Sequence, residues 1–167
     1  MPAWRRRAGL ISLALIIALP GAASAATQPR ALTAKETEAW SALVVEAEVA
    51  RTAGRWSRVE AATRKRLAIE ERAFGPGAPV TAASYSWIGQ SLARQGRDAE
   101  AEPFFRRALS TDRRVLGAQD SQTLLAIANL AGVLERQRRF AEAEPLRRDL
   151  LALSQSRFGA RSAEAAA

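Results

Sequence analysis

Tyr85, Ile88, Gly89 and Leu92 stand at i, i+3, i+4 and i+7, with Ser86, Gln90 and Ser91 between them. Only one face of an α-helix collects that spacing. The pattern predicts a helix that ends at Gly96, a residue suited to the left-handed position after a helix C-terminus. A second helix is predicted from near Asp98, an acceptable N-cap. It carries Ala101, Phe104, Phe105, Ala108 and Leu109 inward, and Gly117 closes it. Extended Val/Ile/Thr runs bounded by turn residues, the mark of strands, are missing.

The same words recur. "AEAEPFFRRAL" at 99–109 returns as "AEAEPLRRDLL" at 141–151, a shift of 42. At that shift Tyr85, Ile88, Gly89 and Leu92 fall on Ile127, Leu130, Ala131 and Leu134. Gln95, Arg97, Glu102 and Pro103 fall on Gln137, Arg139, Glu144 and Pro145, and Gly117 falls on Gly159. A weaker copy precedes both: Gly54-Arg55 matches Gly96-Arg97, Glu60 matches Glu102, Leu67 matches Leu109, and Phe74-Gly75 matches Leu116-Gly117. Fixed self-similarity at this period marks a solenoid, in which stacked neighbours bury the face that one unit leaves open. The first unit has its own start signal, the capping box Thr33-x-x-Glu36, ahead of an apolar stripe at Trp40, Leu43, Val44 and Ala47. The small Gly89 and Ala101 predict close approach of paired helices. Pro103 and Pro145 each fall inside a helix, where proline removes one backbone bond and should kink it.

These residues resemble tetratricopeptide repeats. The family motif W-x2-L-G-x2-Y…A-x3-F is answered by Tyr85-x2-Ile88-Gly89-x2-Leu92…Ala101-x3-Phe105. The period of 42 exceeds the ordinary period of about 34 and adds the connector "LGAQDSQT". That variant, and "NLAGVLERQRRFAEAEPLRRDL" at 129–150 above all, is similar to the kinesin light chain type of repeat. The resemblance covers about residues 40–160. It implies an all-α, right-handed superhelical solenoid of three antiparallel helix pairs, over about 39–77, 80–119 and 122–160 within a domain at 39–160. Residues 26–38 would hold a linker and the start of the first helix, and 161–167 would form a disordered tail. The sequence departs from the pattern at Glu46, Val59 and Thr63 in the first unit and at Arg147 in the third.

The resemblance also implies a function. Such proteins bind other proteins, often as extended segments in a concave groove lined by the first helix of each pair. Carried onto this chain, the groove positions are Ser41, Val44, Glu48 and Arg51, then Ser86, Gln90 and Arg94, then Leu125, Ala128, Gly132 and Arg136. Asn129 matches an asparagine with which kinesin light chain repeats hold a peptide backbone; its counterpart Trp87 does not keep that ladder. Two readings stand for Asn129, a ligand contact or a bond within the solenoid. Two stand for Arg94 and Arg136, which lie one repeat period apart: a shared bidentate clamp on a carboxylate, or two solvated arginines.

Composition narrows the chemistry. The 167 residues suit one domain. With neither Cys nor His, thiol nucleophiles, Ser-His-Asp triads, His or Cys zinc sites and disulfides are excluded. The glycines fall at helix ends rather than in a phosphate-binding loop. No catalytic residue, metal or cofactor is expected.

The N-terminus carries an address. Arg5, Arg6 and Arg7 precede an apolar run from Gly9 to Leu19, then Pro20-Gly21, then the small-x-small site Ala23-Ser24-Ala25. That is the anatomy of a bacterial secretory signal cleaved after Ala25, with an uncleaved membrane anchor as the other reading. Cleavage removes the three arginines and lowers the net charge from +8 to +5. An exported chain has no use for nucleic acid, whereas an anionic lipid, lipopolysaccharide or an acidic peptide suits the charge. The expectation is therefore a periplasmic or secreted scaffold that binds another protein or peptide. The alternatives are an arginine-mediated binder of anionic envelope components, or a self-associating subunit. For the last, the stretch "ARSAEAAA" after Gly159 is too short for another helix pair. Part of Leu146, Leu150, Leu153 and Phe158 is then expected to be uncovered and to form an interface.

Overall fold

The computed structural model describes residues 29–165, with side chains through Ser156. The signal assigned to residues 1–25 and the side chain of Phe158 lie outside the described residues. Six helices follow one another: α1 (Ala34–Thr52), α2 (Trp56–Phe74), α3 (Pro79–Arg94), α4 (Asp98–Val115), α5 (Ser121–Arg136) and α6 (Phe140–Ala165). No strand occurs among the described residues. Each helix packs on the next, and α3 also touches α5, so three helix pairs stack in chain order.

The sequence dictates where most helices stop. The capping box of α1 forms as expected: Glu36 N donates to Thr33 Oγ1 at 3.2 Å, and Thr33 N donates to Glu36 Oε2 at 3.0 Å. After α3, Gly96 takes φ +76°, Gly96 N donates to Ala93 O, and Arg97 N donates to Leu92 O. This is the two-bond helix ending in which a left-handed residue satisfies the last carbonyls. Gly54 repeats it after α1, and so does Arg138 after α5, at φ 60° despite its side chain. Asp98 is not the N-cap of α4: Arg97 holds that place, without a side-chain cap, and Asp98 opens the helix. Gly159 does not close α6, which runs on to Ala165, so residues 161–165 are helical rather than a disordered tail. Both α4 and α6 continue through their exposed prolines, Pro103 and Pro145.

The core is one cluster drawn from the inner stripes. Tyr85, Ile88 and Leu92 of α3 meet Ala101, Phe105 and Leu109 of α4, and Ile127, Leu130 and Leu134 of α5. Gly89 is required: a Cβ there would stand 2.9 Å from the Phe105 ring. In the third pair the corresponding residues are Ala131 and Arg147, and Arg147 turns outward to Glu135 at 2.7 Å. The ring and the glycine thus change together, which keeps the helices packed.

A buried polar network joins the first two pairs. Glu70 of α2 has no exposed surface, accepts from Trp40 Nε1 at 2.8 Å and from Ser84 Oγ, and lies 3.4 Å from Arg66 Nε. Burial pushes the Glu70 carboxyl up despite these partners and pushes the Arg66 guanidinium down. One repeat later Asp112 takes the place of Glu70 and Ala126 the place of Ser84, and burial raises the Asp112 carboxyl as well.

Candidate functional site

The groove positions lie on α1, α3 and α5, the first helix of each pair. Helical spacing puts Ser86 and Gln90 on one face of α3, and Leu125, Asn129 and Gly132 on one face of α5. Ser86, Gln90, Asn129 and Gly132 are half-buried, and Leu125 is exposed. Arg51, at the end of α1, is held by Glu48 in its own helix at 2.5 and 2.9 Å. That partner draws the Glu48 carboxyl down and the Arg51 guanidinium up.

Arg94 and Arg136, read either as one clamp or as two solvated arginines, each have a partner within the protein. Arg136 grips Asp98 at 2.8 and 3.0 Å, and that bond raises its guanidinium. Arg94 sits 5.4 Å above the Trp56 ring. The contacts are the same in position: each arginine reaches the first residue of the preceding second helix. One is a forked ion pair at a helix N-terminus, where a carboxylate is favoured. The other is a cation–π contact. The sequence signal was the spacing from Trp56 to Arg94, repeated from Asp98 to Arg136, which the repeat period alone obscures.

Asn129 behaves differently. Its Nδ2 is buried and has no hydrogen-bond partner. A buried donor left unmet costs about 1–3 kcal/mol, so an amide of this kind is a poor structural choice unless an acceptor comes to it.

The arginines of the second helices are largely committed. Arg106 pairs with Glu102 and Glu142, Arg113 with Asp149, Arg147 with Glu135 and Arg148 with Glu144. A concavity of about 570 Å³ lies among α4, α5 and α6, floored by Leu109, Leu130 and Leu146 and walled by Arg106, Arg113 and Arg114. Arg114 there donates to Gly77 O at 2.8 Å. Its basic wall is thus engaged by the protein itself.

Leu146, Leu150 and Leu153 keep part of their surface uncovered. They stand at i, i+4 and i+7, turn toward the core and are half-buried against it. Among the described residues the exposed large apolar side chains of α6 are Phe140 and Leu151, and those of α1 are Val45 and Val49. Among the described residues no helix is long and apolar enough to cross a membrane, and no group of acidic side chains could hold a metal ion.

Residues 80–156 match the family model described as Tetratricopeptide repeat. No curated protein matches the sequence. A similar solved structure consists of nearly identical TPR-like repeats of a protein assigned as a kinesin light chain in Podosopora anserina. It superposes with a TM-score of 0.62 at 15% identity, over 75% of this chain and 59% of that one. The chain therefore spans less than two thirds of that structure's length, and the likeness is one of fold. The family match begins at α3, while the structure extends the same paired architecture back through α1 and α2.

Proposed function

We propose that the chain, which carries tetratricopeptide repeats, is an exported scaffolding module that holds an extended segment of another envelope protein against α1, α3 and α5. Repeats of this kind are protein-interaction modules, and no catalytic role is assigned. The observation that carries the groove is the unmet Nδ2 of Asn129, beside the exposed Leu125 one turn away on α5. Rotation of the half-buried Asn129 side chain toward the groove lets a backbone carbonyl of a bound segment supply what that amide lacks, and Leu125 offers an apolar contact. Export rests on Arg5 to Arg7, the apolar run to Leu19 and the Ala23-Ser24-Ala25 site.

A photocrosslinker placed at Leu125 or Gln90, with the exposed Arg107 on α4 as the control position, tests the groove in producing cells. Crosslinks to one protein from the groove positions alone are expected. Asn129→Ala should weaken that binding by roughly fivefold or more, the equivalent of about 1 kcal/mol for a lost hydrogen bond. Equal crosslinking from Arg107 and no effect at Asn129 would remove the groove from the proposal. N-terminal sequencing of the same material should begin at Ala26; a chain that begins at Met1 and stays in the membrane fraction overturns cleavage and favours the anchor.

A further inference from the structure

Both internal junctions are built to one plan, one repeat period apart. Glu60 of α2 accepts from Arg64 in its own helix at 3.0 Å, and across the junction from Arg97 at 2.9 Å. Glu102 of α4 accepts from Arg106 in its own helix at 2.8 Å, and across the junction from Arg139. Gln95 and Gln137 donate to the same two acids. The third member of the acid series is Glu144, which Arg148 of its own helix meets at 2.6 Å with no second arginine across from it among the described residues. The first member of the crossing arginine series is Arg55, exposed and without an acid among the described residues. One edge of the stack thus ends in the acid of a rung, and the other begins with its arginine.

The apolar positions follow the same series. Leu67 and Leu109 are 9% and 6% exposed at the junctions, and Leu151, next in register, is 60% exposed. On the opposite side, α3 turns Ser84 to Glu70 of the preceding helix, and Ser91 lies two turns further along the same face. Ser91 and its counterpart Val133 are 0% and 1% exposed, whereas Val49, the first member, is 62% exposed. Val45, one turn away, is also exposed. Phe140 stands where Trp56 and Asp98 are covered by an arginine of the following pair.

We propose that the chain associates head to tail, the open face of α6 in one copy packing on the open face of α1 in a second copy, in the register of its own repeat. Leu151 then lies against Val45, with Val49 one turn along the same face, by the register that sets Glu60 against Gln95 and Glu70 against Ser84, and Glu144 takes Arg55 as the next rung. This goes beyond the groove reading and does not depend on it. The contact joins two different surfaces, so it leaves a free edge at each end and propagates. Several internal contacts do not carry over. Arg106 reaches Glu142 at 3.3 Å, whereas Arg148 meets Arg58 at the new junction. Ala53 stands in the place of Gln95 and Gln137, Thr52 in that of Arg94 and Arg136, and Glu46 in that of the buried Ile88 and Leu130. The end-to-end contact is accordingly weaker than an internal one, and the assembly is reversible and concentration-dependent.

Sedimentation of the full chain, as isolated from the producing cell, tests this with two variants at exposed positions, Val49→Asp and Leu151→Asp. The average mass of the unaltered chain should rise with concentration. Each variant alone should remain monomeric, with an unchanged helical circular dichroism spectrum. An equimolar mixture of the two should form dimers and nothing larger, because only one intact pair of edges remains. Arg55→Glu should weaken association of the unaltered surfaces roughly fivefold, as a moderate ion pair predicts, and mixing it with Glu144→Arg should restore it. A chain that stays monomeric throughout, a Val49→Asp variant that still dimerises through α6 alone, or a mixture without dimers overturns the proposal.

Discussion

At the residue scale, one position departs from the repeat against its backbone. Gly54, Gly96 and Arg138 end α1, α3 and α5 with the same left-handed turn, and the third has a side chain. A left-handed conformation brings Cβ toward the following carbonyl and costs a non-glycine residue roughly 1–2 kcal/mol. Arg138→Gly should therefore raise stability by about 1 kcal/mol, part of the relief being offset by the greater freedom of glycine when unfolded. Denaturant unfolding of the two proteins side by side measures it; a lower midpoint for the glycine variant would mean that the Arg138 side chain contributes more than its backbone costs. The Gly89–Phe105 contact is the opposite case, a missing side chain that the sequence pattern anticipated and the packing requires.

At the element scale, α1 depends on a carboxylate at its start. Glu36 accepts from Thr33 N and is clasped by Arg30 at 2.6 and 2.8 Å, which holds its carboxyl down at about 2 against an ordinary 4.5. The folded state therefore binds this proton less tightly than the unfolded chain does. The contribution is whole above pH 4.5 and is lost as the pH falls toward 2. Acidification through that window should loosen the first turn of α1 first, read as faster amide exchange at Glu36 and Thr37, whose N–H groups donate to Thr33. Protection there that outlasts the central turns of α3 would contradict this assignment.

At the scale of the whole molecule, a solenoid is as strong as the junctions between its neighbours. The first junction is fastened by the buried Glu70, which Trp40, Ser84 and Arg66 surround. Glu70→Ala leaves the Trp40 and Ser84 donors without their acceptor, and the Arg66 guanidinium, still bonded to Ser84 Oγ at 2.9 and 3.1 Å, without its counter-charge in a dry site, at a cost of about 3–5 kcal/mol. The loss should be local: α1 and α2 should lose exchange protection while α4 and α5 keep theirs. Glu70→Gln, which retains an acceptor for Trp40 or Ser84, should cost less. Uniform loss across all helices would show that the stack unfolds as one unit rather than pair by pair.

The periodicity by itself determined the helix pairs, their number, the capping box and the small residue under Phe105, because each depends on spacing along one or two helices. It misplaced the end of α6, since a glycine permits a helix to end but does not force it to, and α6 runs past Gly159 to Ala165. It also read Arg94 and Arg136 as a possible clamp. Only the tertiary structure showed each committed to the helix behind it, because the first residue of a preceding second helix lies within reach of the arginine only once the pairs have stacked. The same holds for the leucines of α6. Spacing identifies Leu146, Leu150 and Leu153 as an apolar stripe, but which way a stripe turns is decided by the neighbour that offers a surface to cover it, and the core drew that stripe inward and left Leu151 outside.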